Sequence, residues 1–339
     1  MQLVKYLFTV FVASFFITGM CTWLINKGLV KSGVDFYGKI NAAGDSTSQV
    51  NLLLVGSSRV LIQLDPQIID TVTGLRSYNY GFNASTIKTC FNTIQYALHY
   101  QKTAKAVVLN IDFNMFSIDQ DPYKDAYYYP FENNVPGILM SNTGNSSLIH
   151  KARFLDISLY DDFVKFAAID GWLRPGRTVQ GLYKGYYPHK DLSNYEVLQT
   201  DSTYKGIAPF SETGIKILND IINLCKQKKV HLILILAPYF KKDAPAKYYT
   251  NFNTIINRVK TVAQQSNTPF YDYSSMAIAN DKQFFYNVNH LNIKGAAVYS
   301  AAVADSVKII FIQTHPLKLN IDHCFPFFKN NHALQQKRN

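Results

Sequence analysis

The chain is poor in cysteine and lacks the closely spaced ligand pairs that mark metal-binding proteins. Its 339 residues include only four cysteines, and all are far apart in the sequence: Cys21, Cys90, Cys225 and Cys324. This spacing excludes both the dense disulfide framework of a small secreted domain and the paired cysteines of a zinc site. We therefore expect no metal site and no cofactor, and we interpret the cysteines as buried structural thiols.

The chain also lacks a concentrated basic region, although it is positively charged. Lys and Arg number 34 against 23 Asp and Glu, which gives a formal net charge of +11. Such a charge suits nucleic acid, an acidic surface or an acidic polymer. The positive charge is mostly dispersed lysine, and no segment resembles a basic nucleic-acid-binding motif. We expect no nucleic-acid partner.

One long uncharged run is present near the N-terminus. Residues 6–25 are rich in Phe, Val and Ile and are long enough to span a bilayer as a helix. A cleavable signal usually has a shorter apolar core, and Met20 stands where a lipoprotein signal needs a small residue before Cys21. The segment therefore predicts an uncleaved transmembrane anchor over residues 1–26. A cleaved signal and a buried helix are the alternatives.

The rest of the chain alternates predicted strands with predicted helices. Buried apolar runs predict strands at 50–55, 77–80, 106–111, 230–237 and 269–273. Apolar residues at helical spacing predict helices at 85–101, from 211, at 253–265 and at 293–310. This alternation predicts an α/β fold, a three-layer α/β/α sandwich around a mostly parallel sheet.

The composition divides the chain into four segments. Residues 27–49, which contain three glycines, are predicted to be a polar connector between the anchor and the body. Residues 50–312 are predicted to form the α/β domain, with an irregular tyrosine-rich insertion at about 115–205. Residues 313–339 form a basic tail that we expect to be loosely attached or disordered.

Residues that could take part in catalysis follow the predicted strands. Ser58 follows the first strand, Gly81 the second and Asn114 the third, and His290 precedes the last helix. Sites in open parallel sheets form at the carboxyl ends of the strands. A serine at such a turn and a late histidine could be a nucleophile and its base. Each residue alone could equally be a turn or cap residue, and Gly-Ser-Ser could be a phosphate-binding loop.

These blocks together resemble the SGNH hydrolases, also called GDSL-type esterases. Gly56-Ser57-Ser58 is similar to their Gly-Asp-Ser block, with Ser57 in place of the aspartate. Asn114 and His290 stand where the later blocks carry Asn and His, and Leu291-Asn292-x-x-Gly295 is also similar. The last block differs, because Asn287 replaces the acid of Asp-x-x-His. The resemblance spans about residues 50–310, without the tyrosine-rich insertion, and it implies an SGNH or flavodoxin-like sandwich.

The resemblance implies roles for individual residues. Ser58 would be the nucleophile and His290 the base, with Asn287 in the position of the triad acid. The oxyanion hole would consist of the Ser58 and Gly81 backbone N–H groups and the Asn114 side-chain amide.

Two further sets of residues have two interpretations each. Arg59 could hold an anionic substrate or be a surface salt-bridge partner. The clusters Tyr127-Tyr128-Tyr129 and Tyr186-Tyr187 could stack on sugar rings or pack a cap over the sheet.

The amide at position 287 leaves three interpretations open. The protein could be a slow Ser-His dyad, because asparagine can orient the imidazole but cannot stabilise its cation with a charge. Another carboxylate, such as Asp272, could replace the missing acid. Finally, the chain could be a decayed catalyst that only binds its ligand.

Gly-Ser-Ser in the first block is similar to membrane-anchored members of this family that act on cell-surface polymers. This implies a serine esterase or O-acyltransferase that acts on small acyl esters, above all acetyl esters, of a cell-envelope polysaccharide or another acylated glycan. The alternative is a catalytically silent polysaccharide-binding or assembly protein. A transferase would have a membrane acyl-donor protein as a partner. The resemblance places the domain in the periplasm or outside the cell, whereas the lysines that follow the anchor favour a cytoplasmic body.

Overall fold

The computed structural model describes residues 1–117, 126–132, 150–177, 183–189 and 205–314. The predicted basic tail lies outside the described residues from 315 onward, and so do large parts of the predicted insertion.

The body contains a five-stranded sheet in the order β2-β1-β3-β4-β5, in which every pair of neighbours is parallel. The strands are β1 Leu52–Gly56, β2 Ser77–Gly81, β3 Ala106–Asn110, β4 His231–Leu236 and β5 Phe270–Asp272. The helices are α1 Gln2–Leu29, α2 Asp35–Gly44, α3 Ser58–Gln63, α4 Pro66–Thr73, α5 Ile87–Tyr100, α6 Asp162–Leu173, α7 Glu212–Lys228, α8 Phe252–Gln265 and α9 Ile293–Thr314. This strand order is that of a flavodoxin-like doubly wound sheet.

Alternate residues of the central strands supply two separate cores. Leu53, Val55 and Leu109 pack on one face, in the cluster that contains α5, α7 and α8. Leu52, Leu54 and Val108 pack on the other face with α4 and α9. Successive side chains of a strand point to opposite faces, so continuous apolar runs require helices on both sides. The predicted α/β/α sandwich is confirmed.

The structure corrects the predicted connector at 27–49. Residues 35–44 form α2, and its side chains Phe36, Tyr37 and Ile40 are buried in the same core cluster as α5. The glycines suggested a linker, but a Cβ on Gly38 would lie 2.4 Å from the Gly33 carbonyl oxygen, so this glycine allows two backbone segments to pack. The segment is part of the folded body.

Within the residues that the structure describes, two helices are long and apolar enough to cross a membrane, namely α1 and residues 293–312 of α9. In the most apolar window of α9, 44% of residues are buried, and α9 is a core helix of the sandwich. In the corresponding window of α1 only 6% are buried. By its length, composition and exposure, the N-terminal helix is therefore the candidate membrane span.

Residues 126–132 and 150–177 of the tyrosine-rich insertion pack against the two N-terminal helices, whereas residues 183–189 lie beside β2 and α3. Tyr128 and Tyr129 are buried, and the Tyr128 ring lies edge-on to Phe36, with centroids 4.9 Å apart. Aromatic packing, the second interpretation of this cluster, accounts for both rings. Helix α6 lies in the same region and contacts α1 closely.

Candidate active site

The serine turn depends on two glycines that let α3 approach the edge of the sheet. A Cβ on Gly56 would lie 2.6 Å from Val60 Cγ2, and one on Gly81 would lie 2.3 Å from the Leu61 nitrogen. Helix α3 can therefore begin directly after β1, with Ser57 as its N-cap and Ser58 as its first residue. This packing places Ser58 half-exposed at the carboxyl edge of the sheet.

The histidine lies on a small antiparallel hairpin, not at the start of α9. Strands β6 (Phe285–Asn287) and β7 (His290–Leu291) pair so that Asn287 stands opposite His290. The Asn287 side-chain oxygen accepts hydrogen bonds from the backbone N–H groups of Asn289 and His290, at 3.0 Å each. Asparagine commonly closes its own turn in this way. The hairpin therefore explains why asparagine suits position 287 locally.

The residue pattern after the histidine has a structural cause. Asn292 Oδ1 accepts the backbone N–H groups of Lys294 and Gly295 and so caps the start of α9. A Cβ on Gly295 would lie 2.2 Å from the Phe284 carbonyl oxygen. These contacts hold the hairpin against α9, which keeps His290 in a defined position.

Ser58, His290 and Asn287 form one hydrogen-bonded row. Ser58 Oγ lies 2.8 Å from His290 Nε2, and His290 Nδ1 lies 3.0 Å from Asn287 Oδ1. The two backbone N–H groups on Asn287 Oδ1 require the amide oxygen, and not its NH₂ group, to face the ring. His290 Nδ1 therefore carries the proton and donates it, and Nε2 is left to accept the Ser58 hydroxyl proton. This is the tautomer that a general base needs.

The environment of His290 favours the neutral ring. The pKa of His290 is lowered from its ordinary 6.5 to about 4, mainly because the ring is buried; the Arg59 charge contributes to this lowering and Asp112 opposes it. A neutral imidazole at physiological pH can accept a proton. The same low pKa makes it a weak base, and in the described part of the chain no carboxylate hydrogen-bonds to the ring to stabilise the imidazolium.

The structure argues against Asp272 as a substitute acid. Its carboxylate pairs with Lys260 Nζ at 2.7 Å and accepts the Ser274 N–H and hydroxyl. Asp272 lies at the end of β5, the edge strand of the sheet. The Nδ1 atom of His290 is hydrogen-bonded to Asn287. The interpretation that Asp272 replaces the missing acid of the triad is therefore wrong.

The three predicted oxyanion donors are in different situations. The Ser58 backbone N–H has no hydrogen-bond partner within the described ranges, so it is available to a substrate. The Gly81 N–H is already donated to Asn79 Oδ1 at 2.9 Å, which corrects its assignment as an oxyanion donor. Asn114 is exposed in the turn after β3, and in the described part of the chain no hydrogen bond joins its amide to Ser58 or His290.

A second polar cluster, missed by the sequence analysis, adjoins the first. The Ser57 hydroxyl donates to Asp112 Oδ2, and Arg59 Nη1 donates to Asp112 Oδ1 at 2.9 Å. The Arg59 guanidinium carbon also lies 3.6 Å from the centroid of the Tyr239 ring, and Nη2 donates to the Pro238 carbonyl. We call Ser57, Arg59, Asp112 and Tyr239 the buried network. Asp112 places a carboxylate against Ser57, where the resembling family has its own aspartate.

The buried network also corrects both interpretations of Arg59. Its side chain is only 4% exposed and is paired with an equally buried Asp112, so it is neither a surface ion pair nor open to an anionic substrate. The signal that could have revealed this pairing was Asp112 itself, which follows β3, the strand adjacent to β1. Sequence comparison matched only Asn114 in that block.

Three aromatic rings lie beside Ser58, His290 and Asn287, which we call the catalytic row. His189 stacks on Tyr286, with centroids 4.1 Å apart, and Tyr187 lies edge-on to His189 at 5.5 Å. The segment 183–189 is hydrogen-bonded to the elements that follow both catalytic residues. The Tyr187 N–H donates to the Leu61 carbonyl in α3, and the His189 carbonyl accepts from the Ile293 N–H at the start of α9. Tyr187 is 41% exposed, whereas Tyr186 is buried. We call Tyr187, His189 and Tyr286 the aromatic wall.

Among the described residues, no group of three or more His, Cys, Asp or Glu side chains is arranged to hold a metal ion. The polar atoms of the site are instead a hydroxyl, an imidazole and an amide. Such a row can transfer a proton from the serine to the histidine and so generate a nucleophile.

No protein-family model matches the sequence, and no curated protein matches it significantly. Solved structures give distant likenesses. A lipolytic protein of the G-D-S-L family from Desulfitobacterium hafniense is 9% identical, with 76% of this chain and 98% of that chain covered and a TM-score of 0.41. A GDSL-like lipase from Bacteroides thetaiotaomicron is 11% identical, with coverage of 81% and 96% and a TM-score of 0.42. A mutant acetylxylan esterase from Geobacillus stearothermophilus is 10% identical, with coverage of 76% and 94% and a TM-score of 0.40. Functional inference therefore depends on the geometry of this chain.

Proposed function

We propose that this protein is a serine esterase of SGNH type whose nucleophile is Ser58. One observation carries the proposal, namely the row in which Ser58 Oγ, the His290 ring and Asn287 Oδ1 are joined at 2.8 and 3.0 Å. The two distances are within the range in which a base accepts a proton from a nucleophile and is itself held in place.

The reaction follows from the protonation states. Ser58 Oγ attacks the acyl carbonyl while its proton passes to His290 Nε2, and the free Ser58 N–H stabilises the oxyanion that forms. The C–O bond to the leaving alcohol then breaks, and the His290 proton passes to that alcohol. Water, activated by the neutral His290, attacks the acyl-Ser58 ester and releases the acid. If a sugar hydroxyl takes the place of water, the same steps transfer the acyl group.

We expect the amide at position 287 to lower the reaction rate less than the loss of a triad acid usually does. Replacing that acid by its amide can lower the rate about 10⁴-fold, because the imidazole then adopts the wrong tautomer. Here the backbone N–H groups of Asn289 and His290 fix the amide, so the productive tautomer is retained. What is missing is the negative charge that stabilises the imidazolium. We therefore propose a slow but genuine Ser-His dyad oriented by Asn287.

We further propose that the substrate is a small acyl ester, above all an acetyl ester, of a cell-envelope polysaccharide. The aromatic wall supports a glycan, because aromatic rings offer apolar faces for sugar rings and Tyr187 is partly exposed. The exposed, apolar α1 supports attachment to a membrane. The proposed location of the domain in the periplasm or outside the cell rests on the resemblance, and so does a membrane acyl-donor protein as partner of a transferase.

A second candidate is a silent polysaccharide-binding protein on the same fold. The observation that favours it is the pKa of His290, which is lowered to about 4, mainly by burial of the ring. Such a protein would bind the acylated polymer without releasing acid, and Ser58→Ala would leave both binding and acid release unchanged.

Covalent trapping tests the proposal directly. The full-length protein in detergent is incubated with a p-nitrophenyl phosphonate, and labelled peptides are identified by mass spectrometry. We expect one adduct, on Ser58, which is absent in Ser58→Ala and slowed in His290→Ala. Equal labelling of wild type and Ser58→Ala would overturn the nucleophile assignment. Acetate release from acetylated against deacetylated polysaccharide then tests the substrate class.

A further inference from the structure

A row of large apolar side chains lies exposed on α6, a helix that the catalytic site does not use. Phe166, Ile169, Trp172 and Leu173 are 55%, 58%, 43% and 74% exposed, respectively. Phe166, Ile169 and Trp172 follow one another at intervals of three residues and Leu173 lies four residues after Ile169, so all four share one side of the helix. We call this row the α6 apolar face. Contiguous exposed apolar residues of this size usually mark an interaction surface.

The α6 apolar face is rigidly tied to α1. A Cβ on Gly171 would lie 2.0 Å from the Gly28 carbonyl oxygen, and one on Gly28 would lie 2.3 Å from that of Ala168, so the two helix backbones are in contact. The Trp172 indole N–H also donates to the Leu24 carbonyl at 2.9 Å. The depth of α6 relative to any membrane that α1 spans is therefore determined by the fold.

The body reaches even further along α1. In the 3₁₀ helix Arg153–Leu159, the Phe154 carbonyl accepts the Thr22 hydroxyl at 2.9 Å, and the Phe154 ring lies 4.4 Å from that of Phe15. These contacts fall within residues 6–25, the apolar run that predicted the span. Part of the body therefore lies beside the span and not beyond its end.

The free length of α1 is too short to cross a bilayer alone. Residues 2–14, which precede the contact of Phe15 with Phe154, are exposed except for the half-buried Val12. At 1.5 Å per residue they extend about 20 Å, whereas a hydrocarbon core is about 30 Å thick. The remainder of the span must come from residues that pack against Phe154 and α6. Those two elements then lie at the boundary between hydrocarbon and headgroups.

The charges around α6 fit such a position. Lys27, Lys31, Arg174 and Arg177 are exposed at the C-terminal ends of α1 and α6, although Arg174 is also paired with the buried Asp170. The exposed Lys165–Asp162 ion pair lies at the other end of α6. Basic side chains at the end of a span are attracted to anionic headgroups. The Lys31 ammonium also lies 3.8 Å from the centroid of the Trp172 ring. Tryptophan is enriched at this depth of membranes because its ring is apolar and its N–H is polar.

We propose that the α6 apolar face is inserted in the lipid bilayer beside α1, so that the body is fixed against the membrane by a second contact that does not span it. The occupant of the face is the acyl-chain region of one leaflet. The proposal rests on the membrane anchor of the proposed function, but it does not depend on catalysis. Its consequence is that the active site has one orientation relative to the membrane, whereas a flexible tether would allow many.

Tryptophan fluorescence tests this proposal, because the chain has only two tryptophans, Trp23 and Trp172. The full-length protein is reconstituted in phosphatidylcholine vesicles with or without bromine on the acyl chains near the headgroup. Three single-tryptophan proteins are compared: Trp172→Phe, which reports on α1; Trp23→Phe, which reports on Trp172; and Ile169→Trp with both native tryptophans replaced by Phe. In the matched control the same background carries Ile207→Trp, an isolated isoleucine that is 78% exposed elsewhere on the body.

We expect blue-shifted emission and strong loss of intensity in brominated vesicles for Trp23, Trp172 and Ile169→Trp, with no loss for Ile207→Trp. If bromine quenched the fluorescence of Trp23 but not that of Trp172 and Ile169→Trp, the insertion of α6 would be overturned and the anchor would stand. Blue-shifted Trp172 emission that bromine does not quench would show that protein covers the face, and would equally overturn the proposal. Absence of quenching at all four positions would exclude the anchor itself, while phosphonate labelling of Ser58 would still test the esterase independently.

Discussion

Ser57 and Ser58 are adjacent residues at one turn, yet they belong to two different polar clusters. Ser58 hydrogen-bonds to His290, whose other partner is an uncharged amide. Ser57 hydrogen-bonds to Asp112, which is paired with Arg59 and almost fully buried. The site thus contains a carboxylate, but it stands beside the arginine and not beside the histidine. The difference shows that this chain uses its acid to hold the turn together and leaves the catalytic row without a charge.

The largest effect expected is on the rate of ester hydrolysis when the catalytic row loses its nucleophile. Ser58→Ala should lower kcat/KM for p-nitrophenyl acetate by at least about 10⁴-fold, because no other group of the row can form the acyl-enzyme. The matched control is Ser57→Ala, which removes the neighbouring hydroxyl from Asp112 and should retain activity within about tenfold. If the two serines gave the same loss, the separation of the two clusters would be wrong.

The next effect is on stability, and it concerns the buried network. Asp112→Asn should lower the free energy of unfolding by about 3–5 kcal/mol, because it leaves the Arg59 guanidinium buried without a counter-charge. Thermal unfolding of the full-length protein in detergent measures the change. The double variant Arg59→Met with Asp112→Leu should be more stable than Asp112→Leu alone. A double variant that is less stable than the single one would show that Arg59 does not depend on this carboxylate.

A smaller effect, in the opposite direction, is expected when the charge missing from the catalytic row is restored. Asn287→Asp should raise kcat/KM for p-nitrophenyl acetate by about 10- to 100-fold, because a charge-assisted hydrogen bond to the imidazolium contributes roughly 1.5–3 kcal/mol. Asn287→Ala is the control and should lower the rate, since it also releases the ring. An unchanged or lower rate for Asn287→Asp would mean that the amide does not limit turnover.

The smallest expected effect is a shift in the pH profile. The active form of His290 is the neutral ring, and its pKa is lowered from 6.5 to about 4. The kcat/KM of the wild type should therefore stay level as pH falls to about 5 and then drop through about 4. In Asn287→Asp the new carboxylate stabilises the imidazolium, so the same drop should begin at higher pH. A wild-type drop near pH 6.5 would show that the site is more hydrated than its burial indicates.

Most of the fold was predictable because its signals are local. Each buried strand is a short apolar run between polar turns, and each long helix has an apolar face at helical spacing. The segment 27–49 was misinterpreted because its glycines resemble a linker, whereas Gly38 allows close packing of α2 near Gly33. Only tertiary contact distinguishes the two uses of glycine.

The catalytic row was also accessible from sequence, because its members stand in recognisable blocks. Ser58, His290 and Asn287 were singled out, and the structure brings these three together. The oxyanion donors were less accessible, since Gly81 donates its N–H to Asn79 two residues earlier. Whether a backbone N–H is free or already bonded is not encoded in a motif.

Local sequence patterns account for the alternation of strands and helices, for the apolar run of α1 and for the serine, histidine and amide at the ends of elements. What those groups face depends on how distant segments pack. Arg59 and Asp112 are 53 residues apart and meet because β1 and β3 are neighbours in the sheet. Likewise, the α6 apolar face can be interpreted as a membrane contact only because α6 packs against α1. Local patterns specify which elements form, but the order in which they pack depends on burying both faces of the sheet at once, and that packing selects the partner of each charge.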